Sequence, residues 1–185
     1  MNTIGHNLKL TVYGESHGKS IGAVLDGLPS GEYLDWDEVK KEMARRAPGK
    51  NTLSTSRKEG DAFDVQSGYF NNATTGTPLA VMIENTNTRS EDYDDLRHLM
   101  RPGHADYTGK VRYDGYNDYR GGGHFSGRLT APLVFAGAVA MQILGRRGIH
   151  VGSHILQIHD VQDRPFNPVH EELSRLLSLK NMTLP

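Results

Sequence analysis

A helical pattern of apolar residues in the third quarter of the chain limits the fold more than any other feature. Between residues 129 and 147 the apolar side chains recur three or four positions apart, which places them together on a helix. The pattern predicts a long helix, the clearest in the sequence. Its repeating positions are Leu133, Ala136, Gly137, Ala140, Met141 and Leu144.

Strand patterns and shorter helical patterns occur on both sides of this helix. Asp35 is placed to cap a helix over 36–47, and a second helix is expected over 171–179. Pairs of strands that alternate with helices indicate an α+β fold with mostly antiparallel sheets. A turn is expected at 71–77, and 85–123 is predicted to be a long polar loop. The predicted strands are 8–13, 20–25, 63–70, 78–84 and 149–158.

Composition excludes several classes of protein. The 185 residues suffice for one domain, and 21 basic against 22 acidic residues leave no overall field that would attract nucleic acid or a membrane. No apolar run approaches 18 residues, so no transmembrane helix is expected. The first residues lack the pattern of a signal peptide. The chain has no cysteine, which excludes disulfides and cysteine nucleophiles and fits a cytoplasmic location.

A histidine follows the first predicted strand in the polar segment 14–18, where Ser16 and His17 stand between glycines. A histidine on such a loop is placed to act as an acid or base near neutral pH. The same segment also resembles the nucleophile elbow of a serine hydrolase. That elbow leads into a helix, whereas a strand is predicted here, so the hydrolase is a distant alternative. A turn histidine without catalytic function is the other alternative.

Two further polar clusters carry histidine and arginine. In the first, Asp106 is close enough in sequence to orient His104, and Arg101 adds positive charge. In the second, the glycines 121–123 precede the long helix, where backbone N–H groups and arginine side chains would favour an anion. It matches neither the dinucleotide fingerprint nor the Walker loop. An incidental ion pair and a flexible helix cap are the corresponding alternatives.

Late histidines and a pair of arginines have simpler explanations. His150, His154 and His159 lie in or after the last predicted strand, but no third ligand with matching spacing is evident, so no metal site is predicted. Arg45 and Arg46 fall at the end of a predicted helix, where the helix dipole alone accounts for basic residues.

Taken together, these clusters closely resemble the chorismate synthase family. No single motif would justify the assignment, but the ordered series extends over nearly the whole chain. The matching segments are 2–5, 14–18, 26–29, 45–49, 75–78, 83–87, 101–106 and 118–123.

The resemblance implies a cytoplasmic lyase that converts 5-enolpyruvylshikimate 3-phosphate to chorismate and phosphate by a 1,4-anti elimination. It implies reduced FMN as cofactor, with NADPH as reductant in some members, and a homotetramer. By the same resemblance His17 would protonate the departing phosphate and His104 would act beside the flavin. The residues implied to bind substrate are Ser16, Arg46, Arg101 and Arg128, and those implied to contact flavin are Gly123, His124, Phe125 and Ser126.

The chain departs from the family in three respects. Many members have arginine and serine where this chain has His124 and Phe125, and a second family arginine corresponds to Thr52. Family members are about twice as long, and an aspartate proposed to assist proton removal lies in their second half. The 185 residues are therefore expected to be the N-terminal portion of one chorismate synthase domain, with little lyase activity unless paired with that half. The alternatives are a non-catalytic module that binds substrate or assembles with a partner half, and a fragment without function.

Overall fold

A five-stranded antiparallel sheet forms the centre of the protein. The computed structural model describes residues 2–47, 60–86, 99–165 and 172–180. Within them the strand order is β1-β2-β3-β7-β4, with every neighbouring pair antiparallel. The α+β class predicted from sequence is confirmed. The strands of this sheet are β1 (Thr3–Ile4), β2 (Lys9–Gly14), β3 (Ser20–Asp26), β4 (Phe63–Ser67) and β7 (Leu79–Glu84).

One face of the sheet carries the core, because residues two positions apart on a strand share a face. On β3 the residues Ile21, Ala23 and Leu25 are buried, and in register they lie opposite Ile83, Val81 and Leu79 on β7, which are also buried. Those partners continue the same apolar face across the middle of the sheet. The predicted strands at 8–13, 20–25 and 78–84 are therefore confirmed to within one residue at each end.

An aromatic cluster joins two helices to this face. Helix α1 (Trp36–Arg46) begins after Asp35, whose carboxylate accepts hydrogen bonds from two backbone N–H groups of the first turn, as predicted. Trp36 lies against Phe63 of β4, with ring centroids 5.9 Å apart. Phe135 of helix α3 (Thr130–Gly145) contacts Phe63 edge-on at 5.0 Å. The first turn of α1 and the middle of α3 are thus held at one end of the sheet.

The predicted strand at 63–70 is divided in two. Gly68 adopts a positive φ of 82°, and the pairing register shifts between Val65 and Ser67. A separate two-stranded hairpin follows, formed by β5 (Tyr69–Phe70) and β6 (Ala73–Thr74). Its turn at Asn71 and Asn72 takes positive φ at both residues, as asparagine tolerates.

The long polar segment 85–123 is more ordered than its composition predicts. Residues 87–98 lie outside the described part of the chain, but helix α2 (Asp106–Arg112) occupies the second half of the segment. The expectation of a continuous loop was wrong there. The polar and glycine-containing composition of this segment gave no apolar helical pattern. The helix nevertheless begins with an acidic residue and ends with basic residues, in accord with the helix dipole.

Contacts divide the chain into a unit of residues 1–140 and a unit of residues 141–185. In the second unit the predicted strand at 149–158 was wrong. Only its last two residues form a strand, β8 (Gln157–Ile158), which pairs with β9 (Val161–Gln162). Ile149 and Val151 are exposed, because no described neighbouring strand covers the alternating side chains. Helix α4 (Glu172–Lys180) confirms the predicted terminal helix to within one residue.

The segment Arg120–Gly145 has the length and apolar composition of a membrane span, although half of its most apolar window is buried in the protein. Such a segment was not predicted from sequence, because polar residues interrupt its apolar runs. The continuous α-helix within the segment is α3, of 16 residues. At 1.5 Å per residue it would reach about 24 Å, short of a typical hydrocarbon core. Its buried side chains, such as Phe135, serve the core instead.

Candidate active site

The loop between β2 and β3 buries two of its polar residues. Gly14 ends β2 at a φ of 96°, and a Cβ there would lie only 2.3 Å from the Ser20 carbonyl oxygen, so the tight return needs glycine. Ser16 and His17 are both buried although they lie on a loop. The backbone N–H of Ser16 donates to the Gly123 carbonyl at 3.1 Å, which attaches this loop to the glycine-rich segment.

Three consecutive glycines form a turn that both predicted catalytic histidines contact. Gly121, Gly122 and Gly123 have φ values of 58°, 84° and 54°. A Cβ on Gly121 would lie 2.1 Å from Cε1 of His17, and one on Gly122 would lie 2.5 Å from Cε1 of His104. The structure thus brings the three clusters of the sequence to one place, with an imidazole against each of two neighbouring glycines.

An ion-pair network orients His104. Arg101 donates to both carboxylate oxygens of Asp106, from Nε at 2.8 Å and from Nη2 at 2.9 Å. The imidazole lies beside one of these oxygens, with His104 Nδ1 2.8 Å from Asp106 Oδ1. The Arg101 guanidinium holds the pKa of Asp106 far below its usual range. Asp106 therefore stays ionised and directs Nδ1 toward itself, so Nε2 faces the glycine turn.

This ion pair predicts a dependence of stability on acid pH. The folded-state pKa of Asp106 lies below its ordinary value of 3.8, so the pair stabilises fully above that pH and its contribution is lost as the pH falls below it. We expect the stability gap between the wild type and Asp106→Asn to be largest at neutral pH and to close in acid. Urea unfolding of both proteins across this range measures it. A gap that stays constant down to strongly acidic pH would show that the carboxylate charge contributes nothing.

Two arginines from different helices share one buried carboxylate. Nη1 of Arg46, at the end of α1, and Nη1 of Arg128, just before α3, each donate to a different oxygen of Asp61. Arg46 also donates from Nε to Thr130 Oγ1 at 3.3 Å. Arg128 is buried, and its remaining donors reach Asn85 Oδ1 at 3.1 Å and the Glu84 carbonyl at 3.4 Å. Arg46 is the more accessible of the two guanidinium groups.

The segment predicted to contact flavin is fixed by local bonds. Nδ1 of His124 donates to the Gly14 carbonyl at 2.8 Å, which sets the tautomer of that ring. Phe125 packs on α2, where a Cβ on Gly109 would lie 2.7 Å from its ring. Ser126 Oγ accepts a hydrogen bond from the Arg128 backbone N–H. His124 and Phe125 also line a cleft of about 510 Å³, together with Tyr13, Tyr113, Tyr116 and Asp118.

The late histidines, for which no metal site was predicted, lie in the second unit. His150 and His159 are exposed there, and His154 lies 3.1 Å from Asp163. Among the described residues, none of the groups of histidine and acidic side chains has the arrangement of a metal site. The alternative of a serine hydrolase loses support, because the strand β3 and not a helix follows Ser16.

Asp61 and Asn85 belong to the network around Arg128, although no sequence pattern assigned either of them a role. Asp61 stands at the end of a polar stretch with no pattern that distinguishes it from a surface loop. Asn85 offered a weak signal, because it directly follows a buried strand, a position from which polar side chains often enter a site. Neither partner could be identified from sequence, since Arg128 lies 67 and 43 positions away from them.

Two histidines lie against one glycine turn with Arg101 near it, and side chains of these types are suited to binding an anion and transferring a proton. The chain also matches a family model, described as chorismate synthase, over residues 8–181, and it belongs to that family. A curated chorismate synthase from Sulfurovum sp. is 45% identical over 179 residues, which cover 97% of this chain and 50% of that protein. One from Porphyromonas gingivalis is 48% identical over 87% of this chain and 44% of that protein.

A solved structure supports the same relationship. The crystal structure of a chorismate synthase superposes with a TM-score of 0.59 and 29% identity, over 85% of this chain and 40% of that chain. The chain therefore spans about half the length of the curated relatives that it matches.

Proposed function

We propose that this chain supplies the histidine- and arginine-bearing part of a chorismate synthase active site. The reaction would be the 1,4-anti elimination of phosphate from 5-enolpyruvylshikimate 3-phosphate. The observation that carries the proposal is the contact of His17 and His104 with adjacent glycines of one turn. Both imidazoles can then reach a single ligand that lies along that turn.

The chemistry needs an acid for the departing phosphate and cations for the substrate. His17 is proposed to protonate the phosphate, and general acid catalysis of this kind commonly contributes about 10²- to 10⁴-fold. His104, oriented by Asp106, is proposed to hold or transfer a proton beside the cofactor. Arg46 and Arg101 are proposed to bind the phosphate or carboxylates, since their side chains are partly accessible. Ser16 is proposed to contact the substrate, and Arg128 to contribute positive charge from its buried position.

The residues present fit reduced FMN as cofactor. The 510 Å³ cleft beside Gly123–Ser126 is lined by the rings of Tyr113, Tyr116 and Phe125, which are suited to a planar aromatic group. His124 and Phe125 are proposed to hold one edge of that group, with Ser126 fixing the turn beside them. The chemistry that reduced FMN supplies when bound is electron donation that promotes phosphate loss. NADPH as reductant, a homotetramer and a cytoplasmic location remain parts of this proposal.

Substrate titration and phosphate release test the proposal. Saturable binding of 5-enolpyruvylshikimate 3-phosphate is expected for the wild type, measured by calorimetry, and Arg46→Gln should weaken it at least tenfold, because a hydrogen bond to a charged group is lost. Phosphate release is then measured with reduced FMN under anaerobic conditions. Saturable binding without release would favour the alternative of a binding module. No saturable binding by the folded wild type would contradict the proposed function.

Substitution of His17 separates catalysis from binding. In the chain paired with the missing half, His17→Ala is expected to lower kcat by about 10²- to 10⁴-fold while KM stays nearly unchanged, because general acid help acts mainly in the transition state. His159→Ala is the matched control, since that ring is exposed and lies in the second unit. Unchanged turnover of His17→Ala would remove the residue from the catalytic site.

A further inference from the structure

A single side-chain amide holds both ends of the loop that carries His17. Asn85 directly follows β7, and its backbone N–H donates to the Lys19 carbonyl at 3.1 Å, which extends the β3–β7 ladder by one bond. Its side-chain Nδ2 donates to the Glu15 carbonyl at 3.0 Å and to the Gly18 carbonyl at 2.9 Å. Those two residues enclose Ser16 and His17, so one amide group closes the loop beneath the imidazole.

The other end of the same amide reaches the buried arginine. Oδ1 of Asn85 accepts a hydrogen bond from Arg128 Nε at 3.1 Å. The orientation of the amide is determined by its partners, because only the NH₂ group can donate to two carbonyls and only the oxygen can accept from a guanidinium. Asparagine alone among residues of its size supplies both functions. An aspartate would lack the donors, and a leucine would lack donors and acceptor.

A continuous chain of bonds therefore connects the arginine pair to the His17 loop. Arg46 and Arg128 share the Asp61 carboxylate, Arg128 binds Asn85, and Asn85 binds the carbonyls on either side of Ser16 and His17. Asp61 and Arg128 are buried, so water competes little with the bond between them. Low local polarity strengthens such a network when every member is satisfied.

We propose that Asn85 is a positioning residue, which sets the place of His17 relative to the arginines. It touches neither substrate nor cofactor in this proposal and acts through the loop. The inference rests on the proposed function, since the significance of the placement is the distance between the acid His17 and the anion bound by arginine. A misplacement of about 1 Å can cost on the order of a hundredfold in rate.

Asn85→Asp is the discriminating substitution. It keeps the size of the side chain and the acceptor for Arg128, but it turns an oxygen instead of two N–H bonds toward the Glu15 and Gly18 carbonyls. Repulsion between the carboxylate oxygen and the two carbonyl oxygens should displace the loop, while the hydrogen bond from Arg128 is kept. Asn85→Ala removes the donors without adding repulsion and serves where the aspartate variant fails to fold. Asn7→Asp, at an exposed asparagine, is the matched control for the added charge.

Nuclear magnetic resonance of histidine labelled with ¹³C at Cε1 reports the position of the ring without requiring turnover. His17→Gln identifies the His17 signal. In the 185-residue chain we expect Asn85→Asp and Asn85→Ala to shift the His17 signal, while the signals of His150 and His159 in the second unit stay in place. Asn7→Asp should leave all of them unchanged. Where turnover is measurable, kcat should fall by roughly ten- to a hundredfold with KM retained.

Two results would overturn the inference. One is a His17 signal that remains at its wild-type position in a folded Asn85 variant. The other is an equal displacement of all histidine signals, which would indicate general loosening and a merely structural role. Failure of the wild type to bind 5-enolpyruvylshikimate 3-phosphate would instead contradict the proposed function, and the histidine signals would still decide whether Asn85 places the ring.

Discussion

Gly121→Ala is expected to displace His17 and to destabilise the protein by several kcal/mol. The residue has a φ of 58°, where an L-residue with a Cβ costs about 1–2 kcal/mol. The added Cβ would lie 2.1 Å from Cε1 and 2.2 Å from Nδ1 of His17, and 3.1 Å from Ser16 Oγ. A buried ring cannot move away without disturbing its neighbours, so the clash adds about 1–3 kcal/mol of overpacking.

Gly103→Ala separates the two contributions. Gly103 also has a positive φ, of 77°, but a Cβ there would meet no atom within 4 Å. Gly103→Ala should therefore lower the free energy of unfolding only by the cost of a Cβ at positive φ. Urea unfolding of both variants measures how much more Gly121→Ala lowers it. A second control removes the ring: in the His17→Ala background, Gly121→Ala should cost less than it does in the wild type. Equal losses for Gly103→Ala and Gly121→Ala would show that His17 does not press on the glycine turn.

The fold could be predicted from sequence where a local pattern and its burial agree. The apolar runs of β3 and β7 place one face of each strand in the core, and α1 shows a cap, a charge gradient and a stop signal. The 149–158 prediction failed for the opposite reason. Alternation shows that a strand could bury one face, but it contains no information about whether a neighbouring strand is present.

The site could be predicted in its residue types but not in its pairings. Glycine-flanked histidines were evident, and the glycine turn explains why three distant clusters meet. That Arg128 would be buried against Asp61 and Asn85 could not be inferred, because such a contact depends on how a helix packs on a sheet. Resemblance to a family suggested substrate binding for Arg128, whereas the structure shows its donors engaged with protein acceptors. Local sequence does not specify which of two arginines remains accessible.

The shared carboxylate leads to the second large prediction. Asp61 has a fully buried side chain, Arg128 is only 4% exposed and Arg46 is 19% exposed, so one buried carboxylate faces one buried and one partly accessible guanidinium group. Asp61→Asn keeps the shape and removes the compensation. Leaving buried charges unpaired commonly costs about 3–5 kcal/mol, and urea unfolding should show a loss of that size. Asp64→Asn, at an exposed aspartate nearby, should change stability by less than about 0.5 kcal/mol.

An added anion should partly reverse this loss. Inorganic phosphate can supply the missing negative charge, so it should raise the unfolding free energy of Asp61→Asn more than that of the wild type, in proportion to its occupancy of the site. Sodium chloride at matched ionic strength distinguishes binding of phosphate at the site from general screening. In the Asp61→Asn background, Arg128→Met should cost less than it does alone, because it removes one of the uncompensated charges. A loss for Asp61→Asn as small as that for Asp64→Asn would show that the two arginines do not depend on this carboxylate.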